Sequence, residues 1–173
     1  MNDIQAQKRE FANLLRYQEA NSKLNSPAKN EKRVVFMGNS ITDSWTESFF
    51  ENKPYFNRGI SGQTTPQMLI RFRQDVIDLE PKVVVILCSV LPATIFPWAK
   101  EVLNPADKII ELNMRLKKYA KKNGHTYLDY YSSMANEEKG LKEKYAADAV
   151  HPNKEGYTVM IELVEEAIFG ALN

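Results

Sequence analysis

The feature that most limits the fold of this chain is a short run, residues 83–87, in which every side chain is aliphatic. A strand that is apolar at every position has no face for water, so it belongs in a sheet that is covered on both sides. Such sheets are parallel, and helices cross over their faces to join the strands. The run therefore predicts an α/β protein with a central strand here and helices on both sides.

The segments around this run alternate between strand-like and helix-like patterns. We predict further strands at residues 34–36, 55–57 and 125–128. We predict an amphipathic lead helix over residues 4–24, a helix capped by Thr42 or Asp43, and helices over residues 65–79, 105–123 and 156–172. The alternation is typical of a doubly wound parallel sheet. We expect one domain over residues 1–173, made of an N-terminal helix (1–24) and an α/β core (34–173).

Charge and hydropathy exclude several kinds of partner. The 23 basic and 22 acidic residues nearly cancel, so we expect no binding to nucleic acid. No apolar run is long enough for a membrane span, and residues 1–10 lack the apolar stretch of a signal peptide. We therefore expect a cytoplasmic protein, with the mature form of an exported protein as the alternative. The only cysteine, Cys88, can form no intrachain disulfide and is predicted to be a buried, inert thiol.

Two places carry residues suited to nucleophilic catalysis. Ser40 follows the first strand at the sheet edge where ligands bind in such folds, either as a nucleophile or as a polar turn and helix-capping residue. Asp148 and His151 are three residues apart before the last helix. That spacing lets the carboxylate orient the imidazole as a base, although a helix cap at Asp148 or Asn153 with a surface His151 is the alternative.

Other chemistries have weaker support in the sequence. His125 has no acidic partner at useful spacing and is predicted to be structural. The chain contains no glycine-rich phosphate-binding motif and no cluster of Cys and His with metal spacing. We therefore expect neither a cofactor nor a metal.

Three blocks of the chain resemble one family. Residues 34–42, VVFMGNSIT, resemble the first block of the SGNH (GDSL) hydrolases, and residues 57–64, NRGISGQT, resemble the second. Asp148-Ala-Val-His151-Pro152 matches the last block. The resemblance implies a three-layer α/β/α, flavodoxin-like fold with a parallel sheet. It implies Ser40 as nucleophile, His151 as base, Asp148 as the residue that orients it, and the backbone N–H groups of Ser40 and Gly62 as the oxyanion hole.

The residues of these blocks are most similar to those of bacterial relatives of platelet-activating-factor acetylhydrolase and of carbohydrate acetylesterases. The resemblance therefore implies a serine esterase that cleaves small acyl groups, acetyl above all, from a small-molecule or carbohydrate ester.

The family's third block, G-x-N-D, has no counterpart after residues 83–87, where the chain reads Cys-Ser-Val-Leu-Pro. Its asparagine would be a third oxyanion donor, and Asn39 and Asn104 are the conceivable substitutes. If a strand and a helix are lost with the block, we expect four strands instead of five, and an exposed sheet edge would favour a homo-oligomer. Loss of the donor also leaves a catalytically inactive binding or scaffold protein as an alternative. A separate alternative is an unrelated flavodoxin-like fold in which Ser40 and His151 are far apart.

Overall fold

A computed structural model describes residues 3–85 and 88–173 of the chain. The described residues divide into two compact units that meet in sequence between Val85 and Cys88. Among the residues that the structure describes, no helix has the length and apolar character needed to cross a membrane.

The first unit contains the sheet. It comprises α1 (Asp3–Phe11), α2 (Gln18–Ser22), β1 (Val34–Gly38), α3 (Ser40–Asp43), α4 (Glu47–Phe50), β2 (Tyr55–Gly59), α5 (Thr65–Asp75), a 3₁₀ turn (Ile77–Leu79) and β3 (Val83–Val85). The strands are parallel in the order β2-β1-β3, and Val34 is in register with Tyr55 on one side and Val83 on the other. This confirms the predicted strands at residues 34–36 and 55–57, each of which extends further to a glycine.

Both faces of β1 are covered, because alternate residues of the strand meet different partners. Val35 and Met37 pack with Val76 and Leu79 from the end of α5 and the 3₁₀ turn. Phe36 points the other way, where its ring lies among four aromatic rings with centroids 5.3 to 5.8 Å away, those of Trp45, Phe49, Phe50 and Tyr55. Helical segments therefore lie on both sides of this strand, as the sequence predicts for a parallel sheet.

Two predictions about the strands are wrong in detail. The middle strand of the described sheet is β1, not the run at residues 83–87, and Val84 of β3 is 37% exposed. Residues 86 and 87 of that run lie outside the described residues. The predicted strand at 125–128 is an isolated parallel bridge between Cys88 and Leu128, in which the Ser89 N–H donates to the Leu128 carbonyl at 2.8 Å. The described residues thus form three strands, with this parallel bridge in the place of the fourth, which is consistent with the reduced sheet expected from the sequence.

The lead helix predicted over residues 4–24 is broken. It ends at Phe11, Asn13 takes a left-handed φ of 52°, and a second helix begins at Gln18. Glutamine side-chain amides from the loop after β2 and from α5 donate to the backbone carbonyls at the break. The N–O distances are 2.7 Å from Gln63 to Ala12, 2.9 Å from Gln67 to Phe11 and 2.8 Å from Gln74 to Leu14. These long-range hydrogen bonds replace the helical ones that the sequence pattern favours.

The helices after β1 also start and end differently from the prediction. Instead of one helix capped by Thr42 or Asp43, two short helices, α3 and α4, follow each other. The next helix is capped one residue earlier than predicted, at Thr64, whose backbone N–H donates to Gln67 Oε1 at 2.7 Å. It ends at Asp75, and residues 77–79 form the 3₁₀ turn.

The second unit contains the remaining helices. These are α6 (Pro105–Asn123), α7 (Tyr130–Met134) and α8 (Lys154–Leu172), with a 3₁₀ turn (Glu143–Tyr145) before the last. Gly124 ends α6 with a φ of 68°, which confirms the predicted boundary. The apolar periodicity of this helix predicts that Leu112 and Tyr119 face inward, but they are 45% and 55% exposed, so the buried stripe of α6 is narrower than its sequence pattern suggests.

Candidate functional site

Ser40 lies at a very tight turn after β1. The strand ends at Gly38, and Ser40 is the first residue of α3. A Cβ atom on Gly38 would lie 2.0 Å from Thr42 Oγ1, so only glycine lets α3 fold back this closely onto the strand end. The turn therefore fixes where the Ser40 side chain emerges beside the carboxyl end of the sheet.

The loop after β2 is fastened to the same short helix. A Cβ atom on Gly59 would lie 2.2 Å from the backbone nitrogen of Asp43. The Asp43 carboxylate accepts hydrogen bonds from the Ser61 backbone N–H at 3.0 Å and from the Ser61 hydroxyl at 2.7 Å. Gly62 follows with a φ of 77°, a conformation that glycine adopts without strain. Asp43 thus links the helix that begins at Ser40 to the loop that carries Gly62.

A buried arginine binds the carboxyl ends of both β1 and β2. Arg71, on α5, is fully buried and donates to the Gly38 carbonyl at 3.0 Å and to the Arg58 carbonyl at 2.8 Å. Its Nε–H donates to the side chain of Gln63, directly after Gly62. Asp75, one helical turn further and 1% exposed, balances the charge at 3.0 Å. One guanidinium therefore ties β1, β2 and the Gly62 loop together.

The second unit brings Asp148 and His151 together. Asp148 Oδ2 lies 2.8 Å from His151 Nδ1. The other carboxylate oxygen, Oδ1, accepts the backbone N–H groups of Val150 and His151, each at 2.7 Å. An imidazole whose Nδ1 is held by a carboxylate is fixed in orientation, with Nε2 directed away from it. This is the arrangement of a base and the residue that orients it.

The environment of Asp148 keeps its carboxyl group ionised. Burial raises the pKa of Asp148, but the hydrogen bonds from the His151 and Val150 backbone and from the imidazole outweigh it, so the pKa lies below its ordinary value. Asn153, not Asp148, caps α8, with its Oδ1 accepting the Gly156 N–H at 2.9 Å. The capping role and the imidazole-orienting role, which the sequence left as alternatives, therefore belong to different residues.

The segment in the place of the third block makes structural contacts. Ser89 Oγ accepts the Tyr131 N–H at 2.8 Å, and both backbone polar groups of Val90 bind the buried Asn113 amide, at 2.7 and 2.9 Å. Asn39 and Asn104 are exposed positions at the starts of α3 and α6, and Asn104 has a left-handed φ of 52°. Within residues 3–85 and 88–173, no group of three or more His, Cys, Asp and Glu is placed to hold a metal ion.

Ser40 and Gly62 thus lie in the first unit, and Asp148 and His151 in the second. His125 is exposed, and its ring lies 6.1 Å from that of Tyr119. Asp43 and Arg71, which hold the Ser40 turn and the Gly62 loop, lie outside the three sequence blocks that predicted the site residues. The sequence feature that indicates the Arg71–Asp75 ion pair is the spacing of these two residues, four apart on one helix.

Comparisons with known proteins agree with this architecture. One similar structure is that of a Bacteroides fragilis protein described as an acylhydrolase. It is 40% identical to this chain, with a TM-score of 0.91 over 94% of this chain and 99% of that one. A GDSL-like lipase from Bacteroides thetaiotaomicron is also 40% identical, with a TM-score of 0.89 over 93% and 99%. A lipolytic protein of the G-D-S-L family from Desulfitobacterium hafniense is 20% identical, with a TM-score of 0.63 over 79% and 99%.

The chain is therefore a three-layer α/β protein with an open parallel sheet, of the class that GDSL acylhydrolases form. The model of the GDSL-like lipase/acylhydrolase family matches residues 85–159, and the chain belongs to this family. None of the curated proteins compared with the chain matches it. A serine nucleophile is typical of the family, and membership indicates a hydrolase that acts on esters.

Proposed function

We propose that the protein hydrolyses small carboxylic esters, acetyl esters above all, through an acyl-enzyme at Ser40. The observation that carries this proposal is the Asp148–His151 pair at 2.8 Å, whose carboxylate is also held by two backbone N–H groups. A base so oriented is used to activate a hydroxyl nucleophile. Membership in an acylhydrolase family supports an ester as the substrate.

The reaction proceeds in two stages. His151 Nε2 takes the proton from the Ser40 hydroxyl as its oxygen attacks the ester carbonyl, and the backbone N–H groups of Ser40 and Gly62 stabilise the oxyanion. When the tetrahedral intermediate collapses, His151 gives the proton to the leaving alcohol. Water then attacks the acyl-enzyme with the help of the same base, which releases the acid and restores Ser40.

The preference for a small acyl group rests on the sequence blocks around Ser40 and Gly62, which are most similar to those of acetyl ester hydrolases. A set of 4-nitrophenyl esters with acyl chains from two to twelve carbons tests it. We expect kcat/KM to be highest for the acetate and to fall as the chain lengthens. A maximum at eight carbons or more would contradict the acetyl preference without touching the roles of the residues.

The decisive experiment compares matched variants on 4-nitrophenyl acetate. Ser40→Ala and His151→Gln should each lose at least about 10³-fold in kcat/KM, because each removes a member of one catalytic unit. Ser44→Ala and His125→Gln are the controls and should stay within about twofold of wild type. Wild-type hydrolysis no faster than that of Ser40→Ala would refute the proposal.

A catalytically inactive binding protein is the second candidate, and one observation favours it. In the place of the third block, Ser89 and Val90 make structural hydrogen bonds, and the nearby amide of Asn113 is used by Val90. Loss of one oxyanion donor typically lowers kcat by about 10²- to 10³-fold. Stoichiometric labelling of wild type by a fluorophosphonate, absent in Ser40→Ala, would exclude the inactive candidate.

A further inference from the structure

A stacked aromatic pair with one exposed ring lies beside His151 in the second unit. The Trp98 ring is stacked on that of Phe96, with centroids 5.8 Å apart and planes 24° apart. The same Trp98 ring lies 6.0 Å from the His151 imidazole, tilted by 41°. We call Phe96 and Trp98 the aromatic shelf.

The shelf turns a large apolar face toward solvent. Trp98 is 65% exposed, while Trp45, the other tryptophan, is only 5% exposed. The same loop also leaves Ile95 57% exposed and Leu103 73% exposed. Exposed apolar side chains that are concentrated in one loop indicate a binding surface more strongly than a single exposed side chain does. Phe96, which is half-buried, and Pro97, whose ring limits the backbone, restrict the orientation of Trp98.

The position of the shelf decides which part of an ester it would meet. In the proposed reaction, which this inference presupposes, His151 Nε2 gives its proton to the leaving alcohol, so the alcohol oxygen lies next to the imidazole. The group attached to that oxygen is therefore the part of the substrate nearest Trp98. The acyl group is bound to Ser40 in this reaction and receives no proton from the imidazole, so nothing in the reaction brings it to Trp98.

We propose that Trp98 binds the alcohol part of the ester by stacking on a flat, uncharged ring. An indole offers a broad apolar face, and it packs well on an aryl ring or on the C–H face of a pyranose. Small alkyl alcohols offer no such face. The shelf therefore selects esters of ring-bearing alcohols, whatever their acyl group.

Kinetics on three acetates test this selection. Trp98→Ala should raise KM about three- to tenfold for 4-nitrophenyl acetate and for a monoacetylated methyl xylopyranoside, the range expected for loss of one stacking contact. It should leave ethyl acetate hydrolysis, followed by pH-stat, unchanged. The two ring substrates also show whether aryl or pyranose rings are preferred. Trp98→Phe keeps a flat ring and should recover most of the affinity.

The chain offers a matched control, because a second aromatic residue lies beside a histidine in the same unit. Tyr119 is 55% exposed, and its ring is 6.1 Å from that of His125 at 37°. Tyr119→Ala should leave all three substrates unchanged. An equal effect of Trp98→Ala on ethyl acetate and the ring substrates would overturn the inference, although the esterase activity itself would stand.

Binding to Ser40→Ala separates this inference from the proposed function. Phenol and methyl xylopyranoside, added separately to this variant, should change the fluorescence of exposed Trp98, and Trp98→Phe in the same background should abolish the change. If wild type proves to hydrolyse no ester, the proposed function fails, and this fluorescence result still decides whether the shelf binds rings. No change with either probe would overturn the inference.

Discussion

Gly62 and Gly124 share a backbone conformation but differ in position. Their φ angles are 77° and 68°, and a Cβ atom on either would find no other atom within 4 Å. The requirement for glycine is therefore conformational at both positions and owes nothing to crowding. Gly62 lies in the loop fastened to α3, whereas Gly124 ends α6 in the second unit.

This pair allows a prediction with an internal control. Gly62→Ala and Gly124→Ala should each lower the free energy of unfolding by about 1–2 kcal/mol, because alanine is strained in the left-handed region. Only Gly62→Ala should also reduce kcat, since it shifts a proposed oxyanion donor. Urea titrations and initial rates on 4-nitrophenyl acetate check both points. An equal fall of kcat in both variants would argue against a role for Gly62 in the oxyanion hole.

The lowered pKa of Asp148 leads to a second prediction at this scale. Its folded pKa lies below the ordinary value, so its contribution to stability is present above that value and is lost as pH falls through the folded pKa. Asp148 therefore stays ionised at neutral and mildly acidic pH. We expect the acid limb of kcat/KM to show a single ionisation.

The matching variant is Asp148→Asn. It should reduce kcat by about 10²- to 10⁴-fold across the whole pH range, because the amide no longer holds Nδ1–H as a carboxylate does. A pH–rate profile of wild type and variant provides the measurement. A variant that equals wild type at pH 8 would show that the carboxylate does not orient the base.

At the scale of elements, α5 does more than cover the sheet. Its Arg71 binds carbonyls at the carboxyl ends of β1 and β2, and Asp75 neutralises the guanidinium. A second buried arginine, Arg33, directly precedes β1 and so lies at the other end of that strand. It donates to the Leu79 and Asn25 carbonyls, at 2.8 and 3.0 Å, and pairs with Glu31 at 2.7 Å.

The two arginines form a matched pair of variants. Arg71→Gln should lower the free energy of unfolding by about 3–5 kcal/mol, because Asp75 is left buried without its partner. It should also reduce kcat with little change in KM, since the Ser40 turn and the Gly62 loop lose their common fastening. Arg33→Gln should lower stability but leave kcat unchanged. Circular dichroism melts and steady-state kinetics measure these effects, and identical kinetics for the two variants would refute a positioning role for Arg71.

The elements show which parts of the fold the sequence could predict. The strands at 34–36 and 55–57 and the boundary of α6 at Gly124 follow from local patterns, and the structure confirms them. The break in the lead helix could not be predicted, because it depends on Gln63, Gln67 and Gln74, which are distant in sequence. The Asp148–His151 pair could be predicted because its two residues are close in sequence. The contacts of Arg71 could not, because the carbonyls that it binds are 13 and 33 residues away.

At the scale of the whole molecule, the single thiol offers a probe of unfolding. Cys88 is the only cysteine, and burial raises the pKa of its thiol to about 12. The reactive thiolate is therefore almost absent from the folded protein at neutral pH. The sequence predicts such an inert thiol from the apolar run around it.

We expect Ellman's reagent at pH 8 to label Cys88 only when the protein unfolds. The labelling rate should rise with urea in parallel with the loss of circular dichroism, because an unfolded thiol returns to an ordinary pKa. Above about pH 9 the unfolded chain releases this proton and the folded one keeps it, so stability should decline as pH rises toward 12. Rapid labelling in the absence of denaturant would contradict the burial of the thiol.

The complete burial of Arg71 also makes the proposed nucleophile loop observable by spectroscopy. Side-chain Nε protons of exposed arginines exchange with water too quickly to be seen easily by nuclear magnetic resonance at neutral pH. The Arg71 proton is shielded and donates to Gln63, so it should give a persistent ¹⁵N-correlated signal that disappears in Arg71→Gln. Since the same guanidinium binds the Gly38 carbonyl, two residues before Ser40, that signal would report on the turn that carries Ser40 without any substrate.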